Sequence, residues 1–206
     1  MRFLIGSGAG FLRRTALITA WFLGSFYVTY PGVAYLEGLV DGPSNQFNAL
    51  LFLPHGVRVF AVWLFRHRAI LPLLFAHGLH VALWGHWTPN LWIPVVAGTF
   101  SAYLAFEILR LGRLNPFHVV THDRAVWGRL VLAGILAAAL NTIFLQLMMM
   151  GYDGPHKELG RVLGYLIGDI LGISLFVVML ISIDTVRELI RKDPVDERKS
   201  ENSRKF

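Results

Sequence analysis

The sequence predicts an all-α, polytopic transmembrane helical bundle of six spans, and three observations carry that reading. Of 206 residues, 55% are hydrophobic and 16% are charged, against about a quarter charged in ordinary soluble domains. The apolar residues fall in blocks of roughly 18 to 25, long enough at about 1.5 Å per residue to cross a hydrocarbon core of about 30 Å. Charged residues separate the blocks, and the basic ones gather on alternate connections.

The blocks place spans at Thr15–Leu36, Ala49–Phe65, Ala69–His86, Leu91–Leu109, Val126–Met150 and Arg161–Ile183. Arg2, Arg13 and Arg14 precede the first span, and Arg66 and Arg68 join the second to the third. Arg110, Arg113, Arg124 and Arg129 flank the link between the fourth and fifth. Arg187, Arg191, Lys192, Arg198, Lys199, Arg204 and Lys205 follow the sixth. These are 16 of the 19 Lys and Arg residues, whereas Glu37, Asp41, Asp153, Lys157 and Glu158 lie on the other side. The positive-inside rule therefore puts both termini in the cytoplasm and three short loops outside. Arg13 and Arg14 before an apolar stretch resemble the start of a secretory signal, but no small-x-small cleavage site follows, so the first helix is expected to be retained. Residues 1–186 form the expected transmembrane domain. Residues 187–206 alternate in sign and lose apolar residues after Val195, which predicts a short helical extension and then a disordered cytoplasmic tail.

Six spans leave no room for a kinase, cyclase, ATPase or nucleic-acid-binding domain of about 100 residues. The net charge of +6 sits at span ends rather than in a basic domain, so the lipid bilayer is an expected partner and nucleic acid is not. The absence of cysteine excludes disulfides, thiolate metal sites and cysteine nucleophiles. There is no Walker motif, G-x-S-x-G elbow, HExxH helix, zinc spacing or pair of catalytic carboxylates. A non-enzymatic protein without cofactor or metal is the expectation.

Function is sought among the polar residues that the spans enclose. An ionised group in hydrocarbon costs at least about 2.5 to 3.5 kcal/mol, so such groups are paired, solvated or used. Arg58 lies near the middle of the second span and Asp169 eight residues past Arg161 in the sixth. Both spans descend from the outer face, so the two charges share a depth, either as an ion pair locking the helices or as the floor of an outward-open pocket. In Leu53-Pro54-His55-Gly56-Val57-Arg58-Val59, proline suits a first helical turn and glycine weakens an interior. The outer part of that span is expected to be broken, with a helix starting near Pro54 and offering unpaired N–H groups to an anion or headgroup; a kink that only shapes packing is the alternative.

His77 and His80 share a helix face and can join His55 in packing, in proton or ligand binding, or in holding a metal. Asn141 and Gln146 offer interhelical hydrogen bonds, and Glu107 can pair with Arg110 one turn on. The candidate polar cluster or ligand site is therefore His55, Arg58, His77, His80, Asn141 and Asp169. Trp84, His86, Trp87 and Trp92 read as interfacial anchors, Met148 to Met150 as packing or lipid-facing groups, and Ala16, Ala20 and Gly24 as ordinary close-packing positions.

Two segments, taken in order, resemble the MASE1 family of bacterial integral membrane sensory domains. Leu53 to Val59, the basic turn Arg66-His67-Arg68 and Ile70-Leu71-Pro72 are similar to that family's W-x-P-x-G helix, basic turn and proline-bearing helix, although no tryptophan stands before the proline here. Gly164 to Ile173 looks like its late Gly-Asp-x-x-Gly helix. The resemblance marks Pro54, Gly56, Gly168, Asp169 and Gly172 as motif positions. It implies a sensory, ligand-perceiving module, usually fused to a signalling output, and here expected to act through a separate membrane or cytoplasmic signalling partner. Two other classes fit the same pattern. A basic six-span chain of this size also resembles the substrate-binding subunits of energy-coupling-factor importers, and a membrane assembly factor would use the buried charges for folding alone.

Overall fold

The computed structural model describes residues 7–39, 51–84, 92–117, 124–149 and 155–191. Its elements are α1 (Ser7–Leu39), α2 (Leu53–Phe65), a 3-10 turn (Arg66–Ala69), α3 (Ile70–Trp84), α4 (Trp92–Leu111), α5 (Arg124–Met149) and α6 (Pro155–Arg191), with no strand among the described residues. Four helical segments are long and apolar enough to cross a membrane: Leu53–Trp84, Trp92–Leu111, Ala125–Met148 and Leu163–Ile183. Leu132, Ile135 and Ile143 on α5 and Leu171, Leu175 and Val178 on α6 are exposed, whereas Arg58, His55 and Asp169 are buried. Apolar outside and charged inside reverses the soluble pattern and suits a hydrocarbon solvent. The chain is an integral membrane protein.

The first of the four segments is a hairpin. The Phe26 ring of α1 lies 5.4 Å from Phe52 at the start of α2 and 3.6 Å from His80 late in α3, whereas a straight helix would separate those residues by about 40 Å at 1.5 Å per residue. The reversal is made at Arg66, a non-glycine residue at φ 53. The other helices fall into line around the hairpin. Trp63 Nε1–H donates to Pro116 O at 3.0 Å, and the Arg66 guanidinium stands 4.7 Å from the Phe117 ring, so the α2–α3 turn and the α4–α5 link share one end. Arg14 of α1 lies beside that turn. The six legs thus alternate in direction, and the basic residues of three separate segments collect at one end, as their spacing predicts.

Helix α2 is the centre of the bundle: ten of its 13 residues are buried, and it packs against α1, α4, α5 and α6. At about 20 Å it is shorter than a hydrocarbon core, and its surrounding helices supply the partners that lipid cannot. Its start is built as a backbone seam with α6. Phe52 N–H donates to Gly168 O at 3.0 Å and His55 N–H to Phe52 O at 3.1 Å. A Cβ on Gly172 would overlap the Phe52 carbonyl, and one on Gly56 would lie 2.6 Å from Phe176 Cβ. Pro54 takes the first turn, where its missing N–H costs nothing. The two motif segments of the sequence therefore meet each other.

Four expectations are corrected or refined. The helix of the second span begins at Leu53 rather than Ala49, and the N–H groups expected to be open to an anion are partly taken by Gly168 and Phe52. Ala16 and Ala20 are exposed, and a Cβ on Gly24 would meet nothing within 4 Å, so these small residues do not pack against another helix of this chain. α6 continues through residue 186 to Arg191 without a break, while residues 192–206 of the expected tail lie outside the described residues, as do His86, Trp87 and the outer-loop acids Asp41 and Asp153.

Gly172→Ala should destabilise the purified protein by about 1 to 3 kcal/mol, because a backbone carbonyl cannot swing aside for the added methyl. Gly24→Ala should leave the melting temperature unchanged or slightly raised, and a thermal melt in one detergent compares the two.

Candidate functional site

Five of the six expected residues come together inside the bundle. His55, Arg58, His77, Asn141 and Asp169 are between 0 and 7% exposed and are presented by α2, α3, α5 and α6. His55 Nε2–H donates to Gly134 O of α5 at 3.0 Å, and its Nδ1 faces Asp169 Oδ2 of α6 at 3.4 Å. The same Oδ2 accepts a 2.9 Å hydrogen bond from Asn141 Nδ2. With Nε2 committed as a donor, the contact between Nδ1 and the carboxylate is attractive only when a proton sits on one of them. His80 stands apart toward the end of α3, half-buried, stacked on Phe26 at 3.6 Å and 5.6 Å from Trp84.

The ion pair considered for Arg58 and Asp169 is not formed. Among the described residues, Asp169 pairs with His55, and Glu107 pairs with Arg110 at 2.5 Å, as that local i,i+3 spacing predicts. Arg58 turns toward α4 instead. Its guanidinium carbon is 5.2 Å from the Phe52 ring centre, within cation–π reach. The group fills the space left by the missing side chain of Gly98, where a Cβ would overlap it and would lie 3.5 Å from His77 Cε1. His77 is covered in turn by Phe22, at 5.1 Å between ring centres.

A buried cation without a direct salt bridge is unusual: among the described residues the Asp169 carboxylate acts on Arg58 through space only, and other polar atoms of the interior are unpaired as well. His55 Nδ1, Arg58 Nε, His77 Nδ1, Thr99 Oγ1, Asn141 Oδ1 and Thr142 Oγ1 are buried without a hydrogen-bond partner. Each such group costs roughly 1 to 3 kcal/mol when left unmade. Gly98, Thr99 and Thr142 carry no distinguishing sequence signal, since glycine and threonine are common in membrane helices. Among the described residues, no three His, Asp or Glu side chains are grouped to hold a metal ion. The arrangement can receive an anionic or hydrogen-bonding group, and the His55–Asp169 pair can hold a proton.

No protein-family model matches the chain, and neither a curated protein nor a solved structure is significantly similar to it.

The unequal company of the two charges has a measurable consequence. Asp169→Leu strands Asn141 and leaves the guanidinium as an uncompensated buried charge, so it should cost about 3 to 5 kcal/mol. Arg58→Met leaves Asp169 with His55 and Asn141 and should cost less than about 1 kcal/mol or stabilise the protein. Exchanging the two charges should not restore what Asp169→Arg alone removes; a thermal melt of the four variants reads this directly.

Proposed function

We propose that this protein is a six-span, non-enzymatic sensory module of the bacterial cytoplasmic membrane, similar to the MASE1 domains. In this reading it perceives a small ligand with an anionic group inside the bundle and acts through a partner protein. The observation that supports it best is Arg58, a buried guanidinium that faces His77 and Gly98 and makes no direct salt bridge among the described residues, in an interior that holds other polar atoms without partners. A stability role alone does not account for that cost, whereas an anion placed against the guanidinium would turn it into binding free energy.

For a signal to pass, the ligand must bind one helix arrangement better than another. α2 is suited to transmit such a difference, because it carries Arg58 in its middle and ends at the basic turn eight residues later. With both termini cytoplasmic, that turn, the α4–α5 link and the C-terminal tail form the surface a partner would read.

The proposed topology has a direct test, since the native chain has no cysteine. Asp153→Cys should react with a membrane-impermeant maleimide in intact cells, and His67→Cys only after permeabilisation. Labelling of His67→Cys from outside inverts the orientation. The function is tested by gentle solubilisation of a C-terminally tagged protein and mass spectrometry of what co-purifies, with Gly98→Ala beside the wild type. A kinase, cyclase or other signalling protein whose recovery changes in Gly98→Ala supports the reading. An ATPase pair would replace it with the importer class, and a large membrane complex with equal recovery in both would favour an assembly factor.

A further inference from the structure

A second site lies at the opposite end of α2 from the seam. The side chains of Arg14, Leu64, Phe65, Arg66, His67 and Arg68 enclose a pocket of about 310 Å³. Three arginines and a histidine line it and no carboxylate does, and the ion pairs among the described residues, His55 with Asp169 and Glu107 with Arg110, lie elsewhere. Arg14 comes from α1, fifty or more positions earlier than the other lining residues, so the basic turn alone does not make the pocket. Arg14 Nε is buried there without a hydrogen-bond partner.

The backbone adds an independent indication. Arg66 holds φ 53 and ψ −138, a region that glycine adopts freely and that costs other residues about 1 to 3 kcal/mol. An arginine at a position that favours glycine is explained when its side chain has work to do. The walls then say what kind of ligand fits. Leu64 is 42% exposed, and Leu17 and Trp21, one and two turns along α1 from Arg14, are also exposed, with Trp21 against Phe60 of α2 at 5.6 Å. A cationic pocket at the end of the apolar segments thus continues along the bundle as an apolar face, the charge and polarity profile of a phospholipid with an anionic headgroup.

We propose that this pocket binds the phosphate of an anionic phospholipid, with Arg14, Arg66 and Arg68 on the headgroup and Leu64, Leu17 and Trp21 beside its acyl chains. The inference rests on the membrane reading above, but not on the buried ligand site or on any partner. Each guanidinium contributes about fivefold to such binding, on the order of 1 kcal/mol per basic residue near an anionic surface.

The test is native mass spectrometry of the full chain released from micelles doped with equal amounts of phosphatidylglycerol and phosphatidylcholine. The wild type should retain phosphatidylglycerol preferentially, and Arg14→Gln with Arg68→Gln should retain it about tenfold less or weaker still. Arg113→Gln, outside the pocket, should match the wild type. Arg66→Gly keeps the proposal apart from a folding defect: relief of the backbone, about 1 to 3 kcal/mol, offsets the lost contact with the Phe117 ring, about 0.5 to 1 kcal/mol, so its melting temperature without lipid should not fall while retention does. Equal retention of both lipids, or equal retention by the wild type and the double variant, overturns the site. A melting shift by inorganic phosphate as large as that by phosphatidylglycerol assigns the pocket to a soluble phosphate compound and overturns the lipid. Extraction of the chain from membranes by alkaline carbonate would refute the membrane reading itself, a failure distinct from loss of lipid preference.

Discussion

The bundle depends on the backbone seam between α6 and the start of α2. A 13-residue helix that carries a charge cannot face hydrocarbon by itself, because its leading N–H groups and its guanidinium would both be unsatisfied there. The seam solves the first part: Gly168 gives its carbonyl to Phe52, and Gly172 has no Cβ to hold the two backbones apart. Once α2 is held in this way, α1, α4 and α5 can close around it. Asp169 follows from the same contact. It sits next to Gly168, so the turn of α6 that meets α2 also delivers the carboxylate to His55.

The close approach of α5 to α6 completes the arrangement. A Cβ on Gly134 would lie 2.5 Å from Ile173, and the Gly134 carbonyl accepts from His55. Glycine at that position brings the acceptor within reach of an imidazole from a third helix. Three helices therefore fix one histidine: α2 supplies it, α5 orients Nε2 and α6 faces Nδ1. This defines the ring's direction as firmly as a metal ligand's hydrogen-bonded outer nitrogen is defined, while Arg58, one turn further on, is held by sterics and an aromatic face instead.

Much of this was legible in the sequence, and what was not has a common physical cause. Hydropathy and the placement of arginines give position along a helix axis, which is why the helical class and the gathering of basic residues at one end could be read, whereas the seam sets Asp169 level with the start of α2, about one turn before Arg58. Position along the axis does not give rotation about it. An ion pair between Arg58 and Asp169 was expected from equal depth, but α2 turns the arginine toward Gly98 and the histidine three residues earlier toward Asp169. The same limit applies to Ala16, Ala20 and Gly24, whose spacing defines a stripe but not the side it faces. Pro54 and Gly56 announced the start of α2, whereas the partner at that start is a backbone carbonyl, a group every residue carries.

Helix α2 runs from one polar region of the molecule to the other. Arg58 and Arg66 stand eight residues apart, about 12 Å along a continuous helix at 1.5 Å per residue, with Val59, Phe60, Ala61, Val62 and Trp63 buried between them. A helix packed on all sides does not bend gradually; it shifts as a unit between discrete packings. The end of α2 at the basic turn is fixed less firmly than the end at the seam, since Phe52 is held by a backbone hydrogen bond to Gly168 and a close approach at Gly172, while Trp63 holds Pro116 by one side-chain hydrogen bond and Arg66 rests on the Phe117 ring. A change of charge or shape beside Arg58 would therefore be expressed mainly at the basic turn. That places the readout of a buried ligand, under the proposed function, at the same surface where an anionic lipid would bear on Arg14, Arg66 and Arg68, and makes the headgroup a second input to one moving element rather than a passive anchor.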